Sequence, residues 1–419
     1  MTQSKHLKLP RTSGAFPNSF LNVFGNFLIS AETGHLCQNH MVETKRKFGG
    51  HNTEEEDRMC GRIEPYFSTL RWAWVWVLQK STGSTRARTI TFCLIALSFL
   101  TCAVAQQTAV WRDPSKHHVQ FVTVQDGVRL EVLDWGGAGQ AVVLLAGYQT
   151  AHEYDGFAEK LSETCHVYGI TRRGYGGSSR PDSGYTAQRS ADDVLQVLDS
   201  LKVSAPVLVG HSFGGQDLIT IGAQHSDRIA GLVFLNSAED PTLTFSAYGV
   251  EQVDQKKLPA TMREPPPPDH SSFQAYREWQ MRTHGVMFPE SELRQQYAAN
   301  PDGSVGRELT SQFVRDAIFA GREKPDYPRI RVPVLALFAL PRSLQDQIQQ
   351  YKPKDAEERA AMEQQHAIHQ AIVKKHIRDL QNGVPAARVV VLPGANYYIF
   401  LSNETDVLRE LRAFMTTLH

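Results

Sequence analysis

The segment Gly210-His211-Ser212-Phe213-Gly214 places a serine between two glycines, directly after the apolar run 207–209. The residues that follow, up to about position 225, have the composition of a helix. A serine on a sharp strand-to-helix turn holds its hydroxyl clear of the backbone, and the helix N-terminus favours negative charge nearby. Small residues two positions away on either side allow such a turn to pack. The pattern therefore predicts a nucleophilic Ser212, with Gly210 and Gly214 as structural residues of the turn.

Alternating strand and helix patterns around this serine indicate how it is positioned. Apolar runs of five to eight residues alternate with amphipathic stretches, which is typical of a parallel sheet covered by helices. We predict an α/β fold with a mostly parallel sheet and helices on both faces. The predicted strands are 119–124, 129–135, 141–146, 166–171, 206–210, 229–236, 332–338 and 388–392. The predicted helices, which lie between or after these strands, are 154–162, 187–201, 212–225 and 404–417.

Two regions interrupt this alternation. Residues of about 240–325 contain the proline tract 265–268 and helical stretches near 271–284, 289–299 and 306–321, which we interpret as a helical cap. A second insertion at about 343–383 is dominated by one predicted helix, 355–382. The remaining pattern is continuous, so we predict a single domain over residues 115–417.

Three further segments carry a family resemblance, namely 144–148 (LLAGY), 169–179 (GITRRGYGGSS) and 392–397 (LPGANY). Together with the serine turn they make residues of about 119–417 resemble the α/β-hydrolase fold family, in its AB hydrolase-1, esterase-like branch. The resemblance implies that the backbone N–H groups of Tyr148 and Phe213 form the oxyanion hole. It also implies that the residue after Asn396 is the catalytic base.

Tyr397 occupies that position, where the family has histidine. A tyrosine with an ordinary pKa near 10 is protonated at neutral pH and is a weak base. Other histidines remain candidates, although each is better explained as a surface or capping residue: His152, His211, His270, His284, His366 and His369.

The position of the catalytic acid stays open as well. The segment after the seventh strand, 338–342 (FALPR), contains no carboxylate. Some relatives supply the acid after the sixth strand, where Asn236 stands in this chain and where Glu239 or Asp240 lie within one turn. Asp346 is a more distant candidate.

Composition excludes some partners. Lys plus Arg and Asp plus Glu both number 44 in 419 residues, so the formal net charge is zero, and nucleic-acid binding is not favoured. No Cys-x-x-Cys pair exists, and His366 and His369 have no evident third ligand, so we expect no metal and no cofactor. The expected partner is a small-molecule substrate, and the oligomeric state is left open.

Residues 86–105 combine Arg86 and Arg88, a short apolar run and the small-residue end Ala103-Val104-Ala105. This combination predicts a secretory signal peptide and a secreted or periplasmic protein without stable membrane insertion after cleavage. A membrane anchor through residues 90–105 is the alternative. Residues 1–85 then form either a disordered extension or a stretch upstream of a true start near positions 75–88.

The resemblance implies a carboxylesterase-like serine hydrolase acting on a small apolar ester. Epoxide hydrolysis and dehalogenation are disfavoured, because relatives with those activities use aspartate at the position of Ser212. Because Tyr397 is a weak base, a catalytically impaired, ligand-binding member of the fold is the alternative function.

Overall fold

The computed structural model describes residues 111–243 and 245–418. The predicted N-terminal extension and signal segment, residues 1–105, lie outside the described residues. Among the residues described, none of the helices combines the length and the apolar character needed to cross a bilayer.

One sheet of eight strands organises the described part of the chain. Its order is β1-β2-β4-β3-β5-β6-β9-β10, and β7 pairs only with β8. The strands are β1 (His118–Gln125), β2 (Val128–Gly136), β3 (Ala141–Leu145), β4 (His166–Ile170), β5 (Val207–His211), β6 (Gly231–Leu235), β7 (Tyr297–Ala299), β8 (Val305–Glu308), β9 (Val334–Leu340) and β10 (Arg388–Pro393). The β1–β2 and β2–β4 pairs are antiparallel, and all other pairs of the main sheet are parallel.

Helices cover both faces of this sheet and bury its apolar strands. The helices are α1 (Asp155–Leu161), α2 (Ala187–Leu201), α3 (Gly214–Gln224), α4 (Ala260–Arg263), α5 (Phe273–His284), α6 (Glu290–Gln296), α7 (Gln312–Ala320), α8 (Leu344–Tyr351), α9 (Ala356–Gly383), α10 (Ile399–Ser402) and α11 (Glu404–Met415). One core cluster joins α1 and α11 to the sheet, and a second joins α2 and α3 to it. The predicted mostly parallel α/β sheet with helices on both faces is confirmed.

The region predicted as a helical cap differs from the prediction in one place. Residues 297–299 and 305–308 form the antiparallel hairpin β7–β8 instead of continuing the predicted helices at 289–299 and 306–321. The connecting residues Asn300-Pro301-Asp302-Gly303 explain this outcome, because Gly303 adopts a φ of +85° and proline cannot continue a helix.

Candidate active site

Ser212 lies between the end of β5 and the start of α3, and it is the feature around which the candidate site is built. Its φ is +53°, in the left-handed region that non-glycine residues rarely occupy. A Cβ on Gly214 would meet the carbonyl oxygen of Leu145 at 2.3 Å, and one on Gly210 would meet the Gly214 backbone at 2.8 Å. Both positions therefore require glycine, as predicted for a tight turn between these elements.

The loop after β3 lies directly against the serine. A Cβ on Gly147 would meet the Ser212 Cβ at 2.6 Å and the backbone nitrogen of Phe213 at 3.3 Å. The backbone nitrogen of Tyr148 directly follows Gly147, and the Tyr148 and Phe213 rings are in contact, with 4.6 Å between their centroids. The segments that carry both predicted oxyanion donors are therefore adjacent to Ser212.

Arg172 holds this loop in place and was not singled out from the sequence. Its guanidinium donates to the carbonyl of Ala146 at 3.1 Å and to the Asp217 carboxylate, on α3, at 2.9 Å. The charged pair thus links the loop after β3 to the helix that follows the serine. An arginine in the glycine-rich segment 169–179 was the only sequence signal for this role.

Tyr397 follows β10 and faces Ser212. Its side chain is partly exposed, but its hydroxyl oxygen is buried and its side chain interacts with that of Ser212. Burial raises the pKa of Tyr397 well above 10, the charge of Glu239 raises it further, and the interaction with Ser212 opposes both effects. The position of a base is therefore filled by a group that stays protonated at neutral pH.

His211 precedes the serine but is directed away from it. Its Nε2 lies 3.3 Å from the carbonyl oxygen of Tyr397, and its Nδ1 lies 3.9 Å from the Glu153 carboxylate. The ring is completely buried, and burial lowers the pKa of His211 to about 3. A ring with so low a proton affinity is a poor proton acceptor for Ser212.

Glu239 and Asp240 occupy different surroundings. The Asp240 carboxylate accepts hydrogen bonds from the backbone nitrogen and hydroxyl of Thr242, at 2.9 and 2.6 Å. Burial, followed by the charge of Asp240, raises the pKa of Glu239 to about 8. Of the two, Glu239 is the carboxyl group whose charge acts on Tyr397.

The two other candidate acid positions make local structural contacts. Asn236 adopts a φ of +51°, and its side-chain oxygen accepts a hydrogen bond from the Ala339 nitrogen at 3.0 Å, so it joins the ends of β6 and β9. Asp346 accepts a hydrogen bond from Ser343 at 2.6 Å at the start of its own helix.

The remaining candidate histidines have contacts of their own. His152 is buried among Asp113, Glu131 and Asp155, and His270 packs against Tyr276. His366 and His369, predicted as unlikely metal ligands, contact glutamine amides on α8 and α9. His284 packs against Trp279, and burial lowers its pKa to about 4.

A cavity of about 810 Å³ lies beside Tyr397. Tyr397 and Tyr398 line it, whereas Ser212 does not, so Tyr397 stands between the cavity and the serine. Within the described residues its lining contains no carboxylate and several polar or cationic side chains, including Arg282, His284, Arg342, Gln347, Gln365 and His369.

The sheet order, the strained serine turn and the loop packed against it agree with one family. The sequence profile described as the alpha/beta hydrolase family matches residues 142–410, which is more than half of the chain. The chain belongs to the alpha/beta hydrolase family. The family predicted from the sequence is thereby confirmed.

Curated relatives of this alpha/beta hydrolase match over limited segments. Epoxide hydrolase A of Mycobacterium tuberculosis is 34% identical over 119 residues, which is 26% of this chain and 36% of the relative. The bifunctional esterase/perhydrolase of Acinetobacter calcoaceticus is 31% identical over 126 residues, 29% of this chain and 46% of the relative. AB hydrolase superfamily protein YisY of Bacillus subtilis is 31% identical over 141 residues, 32% of this chain and 52% of the relative. The chain thus spans about a third to a half of these relatives.

Solved structures extend the likeness of this family member to nearly three quarters of the chain. The E-2-(acetamidomethylene)succinate hydrolase structure matches 72% of this chain and 99% of its own, with a TM-score of 0.52 and 20% identity. A probable hydrolytic enzyme from Pseudomonas aeruginosa matches 73% of this chain and 96% of its own, with a TM-score of 0.50 and 18% identity. At these identities the likeness concerns the fold alone.

Proposed function

We propose that this alpha/beta hydrolase is a carboxylesterase-like serine hydrolase in which Ser212 is the nucleophile and Tyr397 takes the place of the general base. The observation that carries the proposal is the contact between Tyr397 and Ser212 at the strand-to-helix turn. Ser212 would attack an ester carbonyl, and the Tyr148 and Phe213 N–H groups would stabilise the oxyanion.

Without a base the attack is slow. The Tyr397 hydroxyl keeps its proton, because burial raises the pKa of Tyr397 well above 10. General base catalysis contributes typically about 10²–10⁴-fold to a rate. We therefore expect this chain to hydrolyse esters more slowly, by about that factor, than the same chain with a histidine base at position 397.

Glu239 is our proposed acid, in preference to Asp240. When Glu239 is ionised its charge raises the pKa of Tyr397, so of the two carboxyl groups it is the one that acts on position 397. Asp240 is already bound by Thr242.

The cavity modifies the expected substrate. The sequence predicts a small apolar ester, but the lining carries Arg282 and Arg342 and, among the described residues, no carboxylate. We therefore propose small esters that bear a polar or anionic group. The predicted signal peptide at 86–105 supports action outside the cytoplasm, with membrane anchoring as the alternative location.

Steady-state hydrolysis of p-nitrophenyl esters tests the proposal. We expect slow turnover by the unchanged protein, none by Ser212→Ala, and a rise in kcat of about 10²–10⁴-fold in Tyr397→His, the contribution of a general base. Tyr397→Ala is the matched control, because it opens the path from the cavity without supplying a base. An equal rise in Tyr397→Ala and Tyr397→His would mean that Tyr397 limits access and not proton transfer.

The position of Tyr397 also favours a second function, which is ligand binding without catalysis. Because Tyr397 separates the cavity from Ser212, the protein would bind a small ligand in the cavity without turning it over. Activity confined to Tyr397→His, with none in the unchanged protein, would support this catalytically impaired, ligand-binding function. Absence of activity in every variant would contradict the serine hydrolase proposal.

A further inference from the structure

A cluster of imidazole and carboxylate groups lies apart from Ser212, where the segment before β1 meets the residues that lead into α1. Its members are Asp113, His117, His152 and Asp155, and one ligand atom from each lies within 4.8 Å of the others. The side chains of His117, His152 and Asp155 are only 3%, 2% and 6% exposed. Asp113 is 27% exposed and leaves a path from solvent.

His152 is the unusual member of the cluster. It is buried, yet neither ring nitrogen has a hydrogen-bond partner among the described residues. Its Nδ1 lies 3.6 Å from Asp113 Oδ2 and 3.7 Å from Asp155 Oδ2, which is too long for hydrogen bonds. The carboxylates of Asp113, Glu131 and Asp155 surround the ring at 3.6 to 3.7 Å, so it is either an imidazolium ion paired with these acids or a ligand of a cation that they share.

The spacing is that of atoms that share a small cation. Ligands bound tetrahedrally to zinc at its usual bond lengths lie about 3.4 Å from one another. His117 Nε2 lies 3.7 Å from Asp113 Oδ2, which matches the two His152 separations. A contraction of a few tenths of an ångström would bring these three pairs to coordination distance, whereas the wider pairs of the cluster, at up to 4.8 Å, would have to close further.

Neighbouring groups orient the side chains of the cluster. Asp155 Oδ1 lies 2.7 Å from His117 Nδ1 and accepts a hydrogen bond from Trp135 Nε1 at 3.2 Å. His152 Nε2 faces Glu131 Oε1 at 3.7 Å, which leaves Nδ1 directed at the cluster. Glu131 therefore stands behind His152, where a carboxylate fixes the tautomer of a ligating histidine and strengthens it as a ligand. The contact between Asp155 and His117 joins two of the proposed ligands, and it must open for both to reach one ion.

We propose that Asp113, His117, His152 and Asp155 bind one divalent transition-metal ion, and that this ion is zinc. Two imidazoles and two carboxylates suit zinc in tetrahedral geometry, and a set with no open position is typical of structural sites. The ion would join residues 113–117 to residues 152–155, a short distance along the chain from Tyr148. The expectation of no metal rests on the lack of a Cys-x-x-Cys pair and of a third ligand for His366 and His369, and it does not consider these four residues, which come from two separate segments of the chain.

Metal content of the untagged full-length protein tests the proposal. The protein is stripped with a chelator, dialysed against zinc and measured by elemental analysis, with Asp113→Asn and His152→Gln as variants. Asp113→Asn is the milder change, because its side chain is the most exposed of the four. His166→Gln is the matched control, since His166 also contacts an aspartate, Asp134, at 2.9 Å but lies outside the cluster.

We expect about one zinc ion per chain in the unchanged protein and in His166→Gln. Both cluster variants should bind zinc at least about 10–100-fold more weakly, the loss typical for second-shell partners of a metal ligand. Cobalt substitution should give the intense visible absorption of a tetrahedral site, and Asp113→Asn should lose it. Zinc below stoichiometric amounts in the unchanged protein, or equal zinc in Asp113→Asn and His166→Gln, would overturn the proposal and leave a buried ion-pair cluster in its place.

Discussion

Ser212 holds a backbone conformation that carries a steric penalty for every residue with a Cβ. The penalty is accepted at a position where Gly147, Gly210 and Gly214 leave room for the turn. Strain at a non-glycine residue is characteristic of functional sites, because the surrounding structure must impose it. The strain at Ser212 therefore supports its proposed role as the nucleophile, independently of the residue at position 397.

Glycine usually lowers the stability of a protein relative to alanine, and the strain at Ser212 predicts the opposite order at this position. Ser212→Gly relieves the left-handed penalty, whereas Ser212→Ala keeps it, and both remove the hydroxyl. We expect Ser212→Gly to be more stable than Ser212→Ala by about 1 kcal/mol, after the entropy cost of glycine is subtracted. Denaturant unfolding of the two variants measures the difference, and a more stable Ser212→Ala would show that the turn is not strained.

A second residue-scale prediction separates the two candidate acids. In a Tyr397→His background, Glu239→Gln should lower kcat by about 100-fold or more, because a histidine base needs an acid to orient it. Asp240→Asn should have a much smaller effect, since Asp240 binds Thr242. The reverse order of effects would assign the acid to Asp240.

At the scale of elements, α6 is joined to the loop after β3 by a buried carboxyl group. Glu292, on α6, accepts a hydrogen bond from the Thr150 nitrogen at 3.1 Å and another from Gln296 at 2.7 Å. Burial raises the pKa of Glu292 to about 7, and hydrogen bonds from Thr150 oppose this effect. Helix α6 and the loop that carries Tyr148 are thus joined by a contact whose strength depends on the protonation state of Glu292.

The raised pKa predicts how stability changes with pH. The folded state holds the Glu292 proton more tightly than the unfolded state does, so this group's contribution to stability falls as pH rises from about 4.5 to about 7. Relative to Glu292→Gln, the unchanged protein should lose up to about 3 kcal/mol of stability between pH 5 and pH 8. Denaturant midpoints at both pH values test this, with Glu278→Gln on the half-exposed surface of α5 as the control. A pH-independent difference would mean that Glu292 ionises normally.

Across the whole molecule, the fold was accessible from the sequence because periodicity and turn chemistry agree. Helix α2 lies at the predicted residues 187–201, and the serine turn lies between the predicted strand and helix. The β7–β8 hairpin was missed because a helical pattern at 289–299 outweighed the turn residues 300–303. The fold class is indicated many times, by strand and helix patterns that alternate along the chain. The hairpin is indicated only once, by the turn residues between its two strands.

The candidate site was predictable only where it follows a motif. The positions of Ser212, Gly147 and Tyr397 follow from the family pattern, but the arrangement of charges around them does not. The Arg172–Asp217 link, the Glu292 joint and the cluster at His152 each bring together residues that are far apart in the chain. Such contacts depend on tertiary packing, which no local spacing encodes.

The polar cavity is a second property that local patterns did not reveal. Its lining includes residues of α5, α8, α9 and the loop after β10, and the first and last of these segments are more than a hundred residues apart in the chain. Their polar side chains face one another only after folding. The proposed preference for polar or anionic esters therefore rests largely on side chains of the insertions, whereas the proposed nucleophile Ser212 follows a strand of the sheet.

The central claim is that Ser212 is a competent nucleophile that lacks a base. The rate at which a fluorophosphonate probe phosphonylates the protein tests this claim most directly. The rate is measured by intact mass, and the labelled residue is identified by peptide mapping, in the unchanged protein, Tyr397→Phe and Tyr397→His. Labelling should occur at Ser212 in all three, at similar slow rates in the first two, and about 100-fold faster or more in Tyr397→His. Labelling that is absent from all three proteins, or that maps to another residue, would contradict the account.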